Sequence, residues 1–335
     1  MRVTVLSYLE EEEGPPDVVV KQVAAALRKG GHTVSTLAIK DDLDALVRGL
    51  RRRKPDLVFN LMEMFGDELT ADVAVAGLLE LLGIPYTGSG PGELYVAQDK
   101  VLGKHLLAFE GIPFPRFAVF SPSGSLETGG NLRMPLFVKP ARLDASIGIG
   151  RKSLVSDTTT LMRRVVEIHE DLGDAALAEE YIEGREFYVG VLGNETPEAL
   201  PPIELDFSGL PEGMAHVADA AAKWDEDSQA YKGTRSVLAE VDDELRARLQ
   251  KVAVDAYRAL RVRDYGRVDL RYTETGEIYV LEVNASCYLE KAAEFAMAAE
   301  AGGIDYPRLI ERIVNLATER YEGRNTAAGK LRETA

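Results

Sequence analysis

The chain has 335 residues, too many for one ordinary core, so two or three compact units are expected. Apolar residues make up 46% and charged ones 28%, as in a folded globular protein, and 55 acidic against 39 basic residues give a net charge of −16. That surplus argues against nucleic acid and membrane surfaces as partners; one cysteine excludes an internal disulfide and multi-cysteine zinc sites; and with no signal-like start or membrane-length apolar run, a cytoplasmic location is expected.

In chain order, Val3 to Leu9 reads as a strand ending in the acidic cluster Glu10 to Glu13. Pro15-Pro16 then open a helical pattern that stops at Gly30-Gly31. Val34 to Ile39, the helical Leu43 to Arg52 and the apolar Leu57 to Leu61 continue the alternation, which predicts a small parallel α/β unit. In such a unit the loops beyond the strands' carboxyl ends form the crevice, so Glu10 to Glu13 and Asn60 to Glu68, with Glu63 among them, come within reach of a ligand. The glutamate run reads either as a solvated loop or, through one member such as Glu13, as a ligand for an amine.

Ala71 to Leu82 predicts a helix stopped by Gly83, and the turn-rich passage Ile84 to Gly90 leaves the first unit. The expected divisions are 1–90, 91–178 and 179–325, with 326–335 as a tail and the chain frayed from Glu322. The GSGPG segment lacks GxGxxG spacing and no GxxxxGK[ST] occurs, so both common phosphate loops are absent. Asp99 to Phe109 predicts a helix bearing Lys100 and Lys104. Phe117 to Phe120 and Leu136 to Pro140 predict strands, the second carrying Lys139 at its exit. The loop from Ala141 to Gly150 is small and glycine-bearing, so its N–H groups can approach phosphate oxygens closely.

Thr158 to Asp171 predicts an amphipathic helix; Ala176 to Tyr181, Glu186 to Leu192 and Ala199 to Leu205 predict strands with antiparallel pairing. Gly209 to Gly233, with Lys223, Trp224 and Lys232, is too long for an idle linker and reads as a lid. Helices follow at Glu240 to Leu260, Leu289 to Ala301 and Tyr306 to Tyr321. Between the first two, Val268 to Tyr272 and Ile278 to Val283 flank Thr275-Gly276 as a hairpin. Asp269, Glu282 and Asn284 then converge on one face near the ladder ends. Three oxygen donors there suit Mg²⁺ completed by phosphate, the floor of a nucleotide site; the alternative is a merely solvated polar face.

Together, LLELLGIPYTGSG, QDKVLGK, PLFVKP, EEYIEGREF, AAAKW, RVDL…GEIYVLEVN and MAAEAGGIDYPRLI, in that order, resemble the ATP-grasp superfamily, most closely its D-alanine–D-alanine ligase branch. The resemblance implies an α/β chain, α+β in its ATP-grasp part: a parallel α/β domain, a small central sheet domain and a C-terminal antiparallel-sheet domain with a lid loop. It also implies ATP with a pair of Mg²⁺ ions, or Mn²⁺ in their place, small-molecule carboxylate and amine substrates, and a homodimer. Residue by residue it gives Lys100 and Lys139 the ATP phosphates, with Ser146 to Gly148 covering them. Glu179 would hold the adenine amino group, Tyr181 and Ile182 the adenine strand, and Glu186 the ribose. Asp269, Glu282 and Asn284 would hold metal, Lys223 the γ-phosphate, and Arg267 the acyl-phosphate and tetrahedral intermediate. The implied reaction runs from carboxylate through acyl phosphate to amide, with no protein nucleophile; Cys287 has no histidine beside it in the motif.

The departures from the family fall on the acceptor side. Asn284 is followed by ASCYLEKAAEF instead of a Pro-Gly segment, and Ala293 aligns with the serine that holds the second substrate's carboxylate. Ala145 and Trp224 replace the serine and tyrosine of the lid latch, which cannot form as written. The histidine-glycine loop becomes NLMEMFGDE. With Glu63, Asp67, Glu68 and Glu290 gained, and Glu13, Asn60, Trp224 and Tyr288 nearby, a cationic or amine-bearing acceptor other than D-alanine is expected. Two alternatives stand beside the ligase: an ATP-grasp small-molecule kinase, told apart by a stable phosphorylated product, and a non-catalytic nucleotide-binding module.

Overall fold

Strand β1 (Arg2–Tyr8) buries Val3, Thr4, Val5 and Leu6 in succession, as a parallel strand covered on both faces does. It lies between β2 (Thr33–Ile39) and β3 (Leu57–Leu61), parallel to both. The crossovers are α1 (Val18–Lys29) and α2 (Leu43–Arg53), capped by Asp17 and Asp42, whose carboxylates accept from Val19 N and Ala45 N. This computed structural model describes residues 1–9, 17–66, 71–128, 130–143, 147–211, 216–217 and 228–333, with backbone alone for 151 and 324–333.

Helix α3 (Ala71–Leu81) leads through the Tyr86–Gly90 turn into α4 (Pro91–Gln98), which sequence reading did not foresee. Its Gly-Pro-Gly opening looks like a turn, but Pro91 sits at the helix start, where a fixed φ and a missing N–H cost nothing. Asp99 closes α4 and caps α5 (Lys100–Phe109), accepting from Val101 N and Leu102 N.

A second sheet contains β4 (Phe117–Phe120), β5 (Leu126–Thr128), β6 (Leu136–Pro140), β7 (Leu154–Val155) and β8 (Ala176–Glu180), with α6 (Thr158–Leu172) across one face. Its order is β5-β4-β8-β6-β7, every pair antiparallel. A small core of its own includes Leu136, Val138, Val165, Ile168 and Ala178.

The third sheet is built from β9 (Arg185–Leu192), β10 (Glu198–Ala199), β11 (Ile203–Asp206), β12 (Arg235–Leu238), β13 (Tyr265–Tyr272) and β14 (Ile278–Asn284). Its order is β12-β11-β9-β13-β14, with β10 on β9. Helices α7 (Gln229–Gly233), α8 (Asp243–Ala259), α9 (Glu294–Ala301) and α10 (Tyr306–Glu333) complete the fold. Three expectations are corrected here. The single strand Ala199 to Leu205 is two strands, because Pro201-Pro202 donate nothing to a ladder. The helix expected from Leu289 starts at Glu294, after a turn in which Ala293 N donates to Glu290 O. The last helix continues through Gly323 to Glu333, in a segment rich in Ala, Lys, Leu, Arg and Glu, strong helix formers.

The first and third sheets share their cores: Leu6, Val58 and Tyr86 lie in one cluster with Phe187, Leu249 and Val268. Asp264, fully buried with φ at +63°, ties them together. Its carboxylate accepts from Gly88 N at 2.8 Å and from Arg320 Nε and Nη2 at 3.1 and 2.8 Å. Arg320, on α10, also donates to Tyr86 O at 2.9 Å. Burial would lower the guanidinium's pKa, but Asp264 outweighs burial and raises it. Removing one member of such a pair strands a buried charge. Asp264→Asn keeps size and tolerance of positive φ, and is expected to cost about 3–5 kcal/mol, read from the urea denaturation midpoint.

Candidate active site

Alternation along β13 turns Arg267, Asp269 and Arg271 to one face, and the register sets Asp269 opposite Glu282 and Arg267 opposite Asn284. A bulge follows between Asp269 and Leu270. Asn284 Nδ2 donates to Asp269 Oδ2 at 3.2 Å, so the three side chains expected to hold metal lie together. Each carboxylate has a cation beside it. Arg267 grips Asp269 with Nε and Nη2 at 2.7 and 2.9 Å, and lies 4.3 Å above the Tyr188 ring. Lys100 Nζ is 3.3 Å from Glu282 Oε1 and donates to Leu143 O at 2.9 Å. Burial works against the Arg267 charge, yet Asp269 holds its pKa well above the usual value.

A solvent-open cleft of about 690 Å³ has Phe137, Lys139 and Glu179 to Ile182 on one side, and Glu186, Tyr188, Asp269, Arg271, Leu281 and Glu282 on the other. Glu179, 3% exposed, stands between two lysines: Lys139 Nζ at 2.9 Å from Oε2 and Lys104 Nζ at 2.6 Å from Oε1. Burial would push the Glu179 carboxyl up, but Lys104 and Lys139 together hold it low. For Lys104, burial lowers the pKa and outweighs Glu179, which raises it; the two side chains meet at 2.6 Å. Glu186 is paired with Arg271, whose other donors reach Gly184 O and His216 O at 3.1 and 3.2 Å. Tyr181 OH donates to His216 O at 3.3 Å, with Arg271 5.7 Å from its ring.

Not every expected residue lines this cleft. Gly148 (φ +72°) packs its backbone between Pro140 and Leu172, where a Cβ would come within 2.6 Å of Leu172 Cδ1, and Ile149 reaches the cleft instead. Asn60 is buried and its Oδ1 accepts from Met62 N at 3.3 Å, in a small cavity with Thr87, Ser89, Tyr265 and Ser286. Glu290 uses both oxygens on the protein, from Gln22 Nε2 at 2.7 Å and Ala292 N at 2.9 Å, and Tyr288 OH donates to Asp17 Oδ1 at 2.8 Å. These two residues join the loop after β14 to the start of α1. Glu13, Asp67, Glu68, Ala145, Ser146, Lys223 and Trp224 lie outside the described residues.

Two residues beside the cleft had been given no role from the sequence: Lys104, one turn beyond Lys100 on α5, and Arg271, which shares the strand parity of Arg267 and Asp269. The sequence sets Glu294 next to Ala293, but only the packing of α9 brings its Oε2 to 3.9 Å from Arg267 Nη1, while Oε1 accepts from Ser236 Oγ at 2.8 Å. Cys287 is buried and its thiol is pushed up to about 12, the opposite of a nucleophile's setting. The histidines serve packing: His32 meets Glu311 at 2.9 Å, His169 contacts Phe120 O, and His216 stacks on Phe207.

The donor set is two carboxylates and an amide oxygen; among the described residues no three His, Cys, Asp or Glu side chains form a closed metal cage. Such an open, oxygen-only set fits Mg²⁺, which keeps waters and takes substrate phosphates. Facing antiparallel sheets around a lysine-lined cleft, fronted by a parallel α/β unit, define an ATP-grasp architecture. Residues 106–315 match the family described as D-ala D-ala ligase C-terminus. The chain is 33% identical to a D-alanine–D-alanine ligase of Desulforudis audaxviator over 90% of its length and 92% of the relative, and 34% identical to an uncharacterized Sinorhizobium fredii protein over 92% and 90%. A solved D-alanine–D-alanine ligase of Bacillus anthracis superposes with a TM-score of 0.76 at 25% identity, covering 97% of this chain and 99% of that one. The chain belongs to the D-alanine–D-alanine ligase family of ATP-grasp enzymes, ligases that form a carbon–nitrogen bond.

Glu63, two residues beyond β3, is exposed on one side and crowded by protein on the others. That desolvation, with the charges of Asp17 and Asp72, pushes its carboxyl up to about 7 from 4.5. Between these values the folded state holds a proton that the unfolded state does not, so this group makes stability fall as pH rises through that window. Glu63→Gln is expected to flatten the fall in thermal midpoint between about pH 5 and 7; an unchanged pH profile would remove the assignment.

Proposed function

We propose that the cleft uses ATP to activate a small-molecule carboxylate and passes the acyl group to an amine acceptor that is not D-alanine. The carboxylate oxygen attacks the γ-phosphorus, forming acyl phosphate and releasing ADP; the acceptor nitrogen then attacks the acyl carbon and inorganic phosphate leaves, the amine proton passing to phosphate or water. Lys100 and Lys139 neutralise the triphosphate, giving up Glu282 and Glu179 to do so. Glu179 accepts from the adenine amino group, Tyr181 and Ile182 flank the base, and Glu186, braced by Arg271, takes the ribose. Arg267 stabilises the oxyanion. Asp269, Glu282 and Asn284 would hold Mg²⁺, which supplies charge neutralisation at the phosphate oxygens when bound. Lys223 and Ser146 belong to this proposal from the sequence alone.

The observation that carries the acceptor reading is Glu294. Ala293 precedes α9 and offers no side-chain hydrogen bond, and Glu294 stands beside Arg267 at the start of that helix. A carboxylate acceptor meets a negative charge there and lacks a hydroxyl donor; an ammonium or amine meets a partner. Leaving one charged group unpaired in a closed site costs a few kcal/mol, on the order of a hundredfold in specificity. In an ADP-release screen, kcat/KM for D-alanine as acceptor is expected to fall about a hundredfold below that for amidated or diamine acceptors. Efficient D-alanine dimer formation would overturn this acceptor assignment. Glu282→Ala is expected to abolish ADP formation while leaving the circular dichroism spectrum unchanged, because the side chain is partly open to water. Near-normal turnover in that variant would remove the metal-ligand role.

A further inference from the structure

Lys104 does not line the cleft, yet it is only 2% exposed and its ammonium contacts Glu179, a residue that does. It packs beneath Phe114, 5.5 Å from the ring, on the same helix face as Lys100. The two lysines on Glu179 are therefore unequal: Lys139 faces the cleft and can turn toward an anion, whereas Lys104 faces the protein and cannot. If Lys139 leaves for a triphosphate, Glu179 would be a buried unpaired carboxylate unless a second cation stayed behind.

We propose that Lys104 is a positioning residue, the permanent counter-ion that keeps Glu179 ionised and facing the nucleobase while Lys139 transfers to the phosphates. The proposal rests on the ATP reading of the cleft. An ionised Glu179 accepts from the 6-amino group of ATP but repels the 6-oxo group of ITP. Selectivity for the base thus depends on a lysine that never touches the nucleotide, and loss of Lys104 ties Lys139 to Glu179 or lets Glu179 take up a proton and become a donor.

The test is calorimetric titration of the full-length protein and of Lys104→Met with ATP and with ITP, in the presence of Mg²⁺. Wild type is expected to prefer ATP by about tenfold or more, the worth of one hydrogen bond to a charged group. Lys104→Met should bind ATP more weakly and lose most of that preference. If Lys104→Met does not fold, the double variant Lys104→Met/Glu179→Gln leaves no stranded charge, and its amide can either donate or accept. It should fold and bind both nucleotides about equally. A folded variant of either kind with the wild-type ratio overturns the proposal, leaving Lys104 a packing role. A wild type that does not discriminate overturns the role of Glu179 and the proposal with it. Failure to bind either nucleotide instead overturns the ATP reading, a distinct result.

Discussion

The buried pair of Asp264 and Arg320 joins three parts of the chain that sequence keeps far apart: the exit of the parallel unit at Tyr86 to Gly88, the start of β13, and the last helix. Asp264 sits immediately before the strand that carries Arg267, Asp269 and Arg271. Whatever sets its place sets the floor of the cleft. A buried ion pair is weak evidence for stability, because burying charges is expensive, but once built it tolerates few alternative arrangements. Its backbone is drawn in as well, with Asp264 N donating to Asn194 Oδ1 and Asp264 O accepting from Gly193 N.

Above that frame the cleft is a charge-compensated surface. Asp269, Glu282, Glu179 and Glu186 would repel one another and pay for desolvation if left alone, and each is met by Arg267, Lys100, Lys104 with Lys139, or Arg271. This arrangement lets a strongly acidic chain present cations to a polyanionic ligand. In the proposed reading Lys100 exchanges Glu282 for a phosphate and frees that carboxylate for a metal, while Lys139 leaves Glu179 to Lys104. Ligand and metal would then support each other through Lys100 and Glu282.

The acceptor side follows different physics. Tyr288 and Glu290 are spent on Asp17 and Gln22, tying the loop after β14 to the first helix. In the proposed acceptor reading, specificity rests on Glu294 beside Arg267 and on Ala293, which offers no hydroxyl at the start of α9. Discrimination would then come from the absence of a donor and the presence of a negative charge, the repulsive half of specificity.

Much of this was legible in the chain. The parallel unit showed in its strand and helix alternation, and β3, β4 and β6 have the bounds that their β-branched and aromatic runs predict. Period-two alternation was enough to put Asp269, Glu282 and Asn284 on one face, because side-chain direction along a strand is a local property. What tertiary structure decided was non-local. Pairing of Lys104 with Glu179 and of Glu294 with Arg267 joins residues 75 and 27 positions apart, and depends on how helices dock on sheets. Likewise α4 was hidden behind a turn-like Gly-Pro-Gly, and Ala199 to Leu205 was read as one strand, because local propensity says nothing about which N–H groups the ladder needs. Residue chemistry and periodicity determine which groups face a common side; only packing determines which charges meet across it.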